Sequence, residues 1–179
     1  QREIVPVSGW RSQQEQQRIW DDSMAEHGET FTRQYVALPG CSEHQTGLAI
    51  DLGKAAGYID FIRPAFPYDG VCGRFRRLAA RYGFIERYQR GKEEVTGISA
   101  EPWHFRYVGQ EAAGYISSTG MSLEAFTEEW QAALADFEAR GGDVKTQLAY
   151  EESTKNAPPT SYVLDETGED GDAEISLVF

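Results

Sequence analysis

Ser42-Glu43-His44-Gln45-Thr46-Gly47-Leu48-Ala49-Ile50-Asp51 is the stretch on which the reading of this chain turns. Leu48 to Leu52 has the alternation of a short strand, with Leu48, Ile50 and Leu52 on one face and Asp51 on the other. That pattern suits a core-packed strand that presents one carboxylate to a cleft. His44 precedes it across a turn containing Gly47. A second segment, Glu101-Pro102-Trp103-His104, again pairs an imidazole with a carboxylate. The chain has three histidines, and these two segments hold two of them. Together they offer two imidazoles and one carboxylate for a single metal ion, plus a spare glutamate. A hydrolytic zinc site needs that inventory: three protein ligands, an open position for water, and a carboxylate to take the water's proton. Spacing alone leaves a metal site and a pair of structural histidines equally open. Glu101 and His104, three apart, would face opposite ways on a regular strand. A shared site therefore requires a bulge or strand end there, with Pro102 a candidate cause.

Outward from these segments, the pattern predicts a mixed fold. Ile4 to Val7 reads as a strand delivering Gly9-Trp10-Arg11. Ser12 followed by Glu15 is a capping box that opens a helix running to about His27, stopped by Gly28, with Ile19, Trp20 and Met24 as its buried stripe. Residues 53–72, rich in Gly and Pro, read as a long loop forming a rim over the site. Phe75 to Tyr82 reads as a helix ended by Gly83. Phe84 to Tyr88 and Gly97 to Tyr107 read as strands joined by a charged turn at 91–94. Gln110 to Ser118 reads as a short helix. Ser122 caps another, whose Leu123, Phe126, Trp130, Leu134 and Phe137 recur at helical spacing as core residues. Ser161 to Leu164 and Glu174 to Phe179 read as a hairpin around an acidic loop. The expected class is α+β: a small antiparallel sheet carrying the site, flanked by helices, with a C-terminal β-hairpin extension. The expected division is a catalytic domain over 1–140 and an acidic extension over 141–179.

A chain of 179 residues can bury a core as one domain. Its net charge of −12 is unevenly placed. Residues 1–110 hold 14 acidic and 14 basic side chains, whereas residues 111–179 hold 15 and 3. Such a chain repels nucleic acid and anionic membrane surfaces, so neither is an expected partner. No apolar run approaches the roughly 20 residues of a membrane span. The chain begins at Gln1, already close to the apolar run at Ile4, which suggests that residues precede it. Cys41 and Cys72 read as two free thiols rather than a disulfide framework. Cys41 lies three before His44, and as a fourth ligand it would make the zinc site structural and closed. His27 reads as a residue near a helix C-terminus, favourable to the helix dipole.

Ser42-x-His44-x-x-Gly47-x-Ala49-x-Asp51 and Glu101-x-Trp103-His104-x-x-Tyr107 resemble the paired signatures of bacterial zinc D-Ala-D-Ala peptidases of the VanY/VanXY type. Ser8-Gly9-Trp10-Arg11-Ser12 resembles that family's Ser-Gly-Tyr-Arg-Ser, with Trp in place of Tyr. Residues 31–39 and 59–64 resemble the VanXY branch. The resemblance covers about residues 3–110 and fades over the last 40. It implies that His44, Asp51 and His104 bind Zn²⁺, one ion per chain. It implies that Glu101 is the general base and then acid, and that Arg11 hydrogen-bonds the scissile carbonyl oxygen. Ser42 and Gln16 would contact the substrate's C-terminal carboxylate. Tyr35 and Trp103 would line the pocket, a place equally open to plain core residues. The implied partner is a small peptide ending in D-Ala-D-Ala, either the dipeptide or the muramyl pentapeptide precursor. The implied activity depletes the target of glycopeptide antibiotics, hence the tie to vancomycin resistance. The same fold would also suit a cell-wall endopeptidase or an L,D-type peptidase, or a zinc module that binds without turnover. The VanXY branch implies the cytoplasm, and the VanY branch an extracytoplasmic, anchored enzyme. No oligomeric state is implied.

Overall fold

The structure, a computed structural model, describes residues 3–143. The acidic segment beyond, including the expected hairpin, lies outside the described residues. The chain divides into two compact units, Gln1–Ala133 and Leu134–Phe179. Within the first, four antiparallel strands form one sheet in the order β1-β2-β4-β3. They are β1 (Ile4–Ser8), β2 (Ala49–Lys54), β3 (Phe84–Tyr88) and β4 (Glu101–Tyr107). The helices are α1 (Gln13–Tyr35), α2 (Gly70–Ala79), α3 (Glu93–Thr96), α4 (Gln110–Thr119) and α5 (Leu123–Ala139). Short 3₁₀ turns cover Glu43–Thr46 and Ala80–Tyr82. The expected α+β class and small antiparallel sheet are present.

One face of the sheet is the main core. Leu52, Phe66, Cys72, Ala79, Trp103 and Phe105 are buried together, with Ile50, Val71 and Phe75 packed against them. Phe105 from β4 meets Phe75 of α2 edge to face at 5.0 Å and Phe66 at 5.5 Å, the geometry that ring quadrupoles favour. The opposite face carries a polar row. Ser8 pairs with Asp51, and Asp51 pairs with His104, so the three side chains share a side across β1, β2 and β4. As expected from strand parity, Asp51 points away from the core that Leu52 enters. Leu48, expected on that core face, lies just before β2 and is largely exposed.

Two irregularities bring the site residues together. In β1, Val7 has no counterpart between Asp51 and Leu52, because Pro6 pairs with Leu52 and Ser8 with Asp51. In β4, the expected bulge is present. Glu86 pairs with Phe105 and Tyr88 with Glu101, so Arg87 alone lies opposite Pro102, Trp103 and His104. Trp103 and Phe105 enter the core while His104 between them faces the pocket, and the looped-out segment shifts the parity so that Glu101 reaches the same pocket as His104. The Pro102 carbonyl inside the bulge accepts from Arg76 Nη2 at 2.7 Å. Arg76 also donates from Nε to Glu86 at 2.5 Å and from Nη1 to the Pro67 carbonyl at 3.0 Å, and it sits 3.9 Å over the Tyr68 ring.

Several expected boundaries move. The Ser12 and Glu15 capping box opens α1, with Glu15 N–H donating to Ser12 Oγ at 3.2 Å. Gly28, at φ 81°, does end the first helical segment, but the chain re-enters a helix and continues to Tyr35. Thr32 Oγ1 stitches the break, donating to the Gly28 carbonyl at 3.0 Å and lying 2.8 Å from Ser23 Oγ. The fully buried residues of α1 are Gln16, Ser23 and Thr32, whereas Ile19, Trp20 and Met24 are half-buried. Gln16 faces the polar pocket, Ser23 and Thr32 are buried against each other, and Tyr35 at the helix end packs on the core. Helix α2 begins at Gly70, five residues before the expected Phe75, and β4 begins only at Glu101, because α3 runs from the second half of the charged turn to Thr96.

Ser122 caps α5 as expected, accepting from Ala125 N–H at 3.2 Å. The aromatics of α5 are not core. No residue of that helix is buried; Leu123 and Phe126 pack partly on Ile85, Ala113 and Ile116, and Trp130 is 61% exposed. That cluster is too small to reach past the first two turns of the helix.

Candidate metal centre

Residues of the chain from Arg11 to Asp51 line one side of the site pocket. Arg11 N–H donates to the His44 carbonyl at 3.2 Å, tying the segment after β1 to the 3₁₀ turn that carries His44. Gly47 closes that turn in the left-handed region, φ 74°, which favours glycine. One donor atom from each of His44, Asp51 and His104 lies within 4.8 Å of the others, and all three residues are buried. His44 Nε2 is 3.1 Å from Asp51 Oδ2, and His104 Nδ1 is 2.9 Å from Asp51 Oδ1. A set of two imidazoles and one carboxylate is a catalytic zinc donor set with a coordination position to spare. The tautomers fit as well. His44 Nδ1 is 2.8 Å from the Gly9 carbonyl, which can only accept, so Nδ1 carries the proton and Nε2 is left as a ligand. Cys41 is exposed and is not among the three clustered ligands.

Glu101 enters the same pocket from the start of the bulge, with Oε2 3.8 Å from His104 Nδ1. Burial, helped by the charges of Asp51 and Glu43, pushes its carboxyl up to about 8 against the opposing pull of His104 and Arg11. A carboxyl raised in this way suits proton exchange near neutrality. Burial also acts on His104 and Asp51, and there the hydrogen bonds between them win. His104 rises to about 9, and Asp51 falls far below the usual carboxylate range.

Arg11 is held by three bonds: Nε to Ser8 Oγ at 2.8 Å, Nη1 to Gln16 Oε1 at 3.2 Å, and Nη2 to Asp51 Oδ2 at 3.0 Å. These bonds use three of the five guanidinium N–H groups, leaving one on each Nη for a ligand. Gln16, expected to contact substrate, is fully buried and bridges Arg11 to the Ala37 carbonyl through Nε2 at 2.8 Å. Ser42, Tyr35 and Trp103 all line the pocket, and Trp103 also belongs to the core beneath it. Phe61 and Ile62 from the 53–72 loop complete the wall, so the middle of that loop is the expected rim, while Phe66 at its far end is core. His27 stays outside, its ring 4.4 Å from Phe31.

Sequence reasoning missed Glu43 and Tyr88. Tyr88, read only as a strand end, lies 5.0 Å from the His104 ring. Glu43, quoted in the motif but given no role, lies 3.4 Å from His104 Nε2. A lone acidic residue in a turn reads as solvated, and nothing local marks it otherwise.

Among the described residues, no helix is long and apolar enough to cross a membrane. Residues 1–110 match the family model of VanY, D-alanyl-D-alanine carboxypeptidase. The chain is 46% identical over 127 residues to the bifunctional D-Ala-D-Ala dipeptidase and carboxypeptidase VanXYC of Enterococcus gallinarum, covering 70% of this chain and 67% of that relative. It is similar to the crystal structure of the D,D-dipeptidase VanXYg in complex with a D-Ala-D-Ala phosphinate analogue. There the TM-score is 0.70 at 62% identity, over 70% of this chain and 50% of that one. It is also similar to a VanY D,D-pentapeptidase mutant in complex with Zn(II), with a TM-score of 0.57 at 36% identity over 69% and 71% of the two chains. The match spans half to two-thirds of the first two of these. With the motif residues converging on one buried pocket and the family model matching 110 residues, this chain belongs to the VanY family of D-alanyl-D-alanine carboxypeptidases.

Proposed function

We propose that this chain is a zinc-dependent D,D-peptidase that hydrolyses the bond before a C-terminal D-alanine, in the D-Ala-D-Ala dipeptide and in precursor peptides ending in it. The observation that carries the proposal is the convergence of Glu101 and Arg11 on the pocket that holds the donor atoms of His44, Asp51 and His104. A metal-binding module without turnover has no need of either. The identity to a bifunctional dipeptidase and carboxypeptidase supports activity on both substrates.

Bound zinc supplies Lewis acidity for a water molecule and for the scissile carbonyl. Glu101 takes the proton that the water loses as its oxygen adds to the carbonyl carbon. The same proton passes from Glu101 to the amine nitrogen as the C–N bond breaks, so the carboxylate is regenerated. Arg11, fixed by Ser8, Gln16 and Asp51, offers its remaining N–H groups to the carbonyl oxygen as negative charge collects there. In this reading Ser42 meets the terminal carboxylate, Gln16 acts through the Arg11 it braces, and Tyr35 and Trp103, which line the pocket, enclose the alanine methyl groups.

D-Ala release from the dipeptide and from a D-Ala-D-Ala pentapeptide, with and without chelator, tests this reading. Chelator-sensitive release from either is expected. Release only from an L,D-linked tetrapeptide would move the proposal to an L,D-carboxypeptidase, and no release from any of the three would end it. If the activity holds in a host cell, loss of D-Ala-D-Ala termini should lower its sensitivity to glycopeptides such as vancomycin.

A further inference from the structure

His44 and His104 are braced differently. His44 Nδ1 meets a neutral carbonyl, that of Gly9, at 2.8 Å. His104 Nε2 instead meets a carboxylate, Glu43 Oε2, at 3.4 Å. That carboxylate is itself fixed. Arg87 Nε donates to Glu43 Oε1 at 2.8 Å, and Arg106 Nη1 lies 3.5 Å from Oε2. Arg87 is in turn gripped by Glu124 at the start of α5, through Nη1 at 3.1 Å and Nη2 at 2.5 Å. The Arg87 guanidinium also sits 4.7 Å over the Tyr88 ring, which lies tilted against His104 at 5.0 Å between ring centres.

We propose that Glu43 is a positioning residue for the metal centre: by accepting the Nε2–H of His104 it holds that imidazole in the tautomer whose Nδ1 is free to ligate. The inference rests on the zinc reading of His44, Asp51 and His104. Nδ1 of His104 faces Asp51 and Nε2 faces Glu43, so the ring has only one orientation in which both nitrogens are used. A carboxylate behind a ligating imidazole fixes its tautomer and raises its donor strength, and removing such a partner costs about 10–100-fold in metal affinity. Glu43 also stands next to His44 on one 3₁₀ turn. That turn therefore delivers one ligand directly and braces the other across the sheet. Arg87, fixed by Glu124, keeps the Glu43 carboxylate aimed at His104.

The test is zinc affinity by chelator competition for the wild type and for Glu43→Gln, which keeps the shape and loses the charge. The expected result is one zinc per chain in both, with an affinity lower by about 10–100-fold in the variant. An affinity within twofold of wild type overturns the proposal while leaving the zinc reading intact. A wild type that binds no zinc overturns both. A long-range ¹H–¹⁵N spectrum of the zinc-loaded wild type gives a second readout that needs no variant. His104 is expected to carry its proton on Nε2, protected from exchange with solvent; a proton on Nδ1, or rapid exchange, sinks the proposal even if Glu43→Gln fails to fold.

Discussion

Asp51 and His104 face each other across the pairing of β2 with β4, and Oδ1 of one lies 2.9 Å from Nδ1 of the other. Residues 53 positions apart in the chain thus meet because they are directly opposed rungs of one ladder. Asp51 also takes Arg11 Nη2 at 3.0 Å and His44 Nε2 at 3.1 Å, so one carboxylate ties both metal-binding segments to the residue expected to act on the substrate carbonyl.

Replacing Glu101 should separate chemistry from metal binding. Glu101→Gln removes proton transfer and leaves the three ligands in place. We expect kcat to fall by about 10²–10⁴-fold, the range for a positioned acid–base group. Zinc content, measured by mass spectrometry of the metal, should stay at one per chain. Loss of the metal in this variant would show Glu101 to be a ligand instead.

Arg11→Lys keeps a cation near Asp51 but loses the fork that reaches Ser8, Gln16 and Asp51 together. The expected cost is roughly 3 kcal/mol in the barrier, about 10²-fold in kcat. Turnover of the dipeptide at saturating substrate measures it. A change confined to KM would place Arg11 in substrate binding alone.

The metal-free protein should lose stability as pH rises. The Glu101 carboxyl has its pKa raised by burial from 4.5 to about 8, so the folded state holds a proton that the unfolded state releases above 4.5. His104, raised from 6.5 to about 9 by its carboxylate partners against the cost of burial, contributes stability that is full below 6.5 and gone above 9. Both groups give the native state the greater proton uptake between pH 5 and 9, so stability falls across that window. The contribution of Asp51, whose pKa is depressed, is already complete above 3.8 and adds no slope there. Melting temperatures in chelator from pH 5.5 to 9 should decline steadily; a flat or rising series contradicts the assignment. Saturating zinc should raise them, by about 2.7 kcal/mol of stability at a hundred times its Kd.

Arg76→Ala should unfold the scaffold rather than disable the chemistry directly. It leaves the Glu86 carboxylate with the Tyr68 hydroxyl but without its cation, and removes the Arg76 donor from the Pro102 carbonyl in the bulge that aims Glu101 and His104. Breaking one side of such a pair costs about 3–5 kcal/mol. Urea denaturation measures the loss, and a change under 1 kcal/mol would show the bulge to be self-supporting.

Much of the site was legible because its signals are local. The alternation at 48–52 placed Asp51 opposite the core, and the capping box at Ser12 opened α1 where expected. Even the bulge in β4 followed from local geometry, since Glu101 and His104 could not otherwise share a side. The miss on α1 has the opposite character. Ile19, Trp20 and Met24 are its most apolar inward candidates, yet Gln16, Ser23 and Thr32 are the buried ones: Gln16 bonds Arg11 in the pocket, and Ser23 and Thr32 bond each other across the Gly28 break, a pairing that apolar spacing does not reveal. Trp130 in α5 fails as a core residue for a similar reason: the partner cluster ends before reaching it.

By itself, then, the sequence determined which side chains could act. Two imidazoles, an alternating carboxylate, a spare glutamate and a capped arginine segment are chemistry written in spacing. Only the tertiary structure decided what surrounds them. That Glu43 rather than solvent stands behind His104, that Gln16 braces Arg11, and that Arg76 props the bulge all depend on residues 5 to 61 positions apart meeting through sheet register and helix packing. A turn glutamate and a helix glutamine carry no local mark of such a place. Their roles follow from partners that come near only when β1, β2 and β4 align and α1 closes over them.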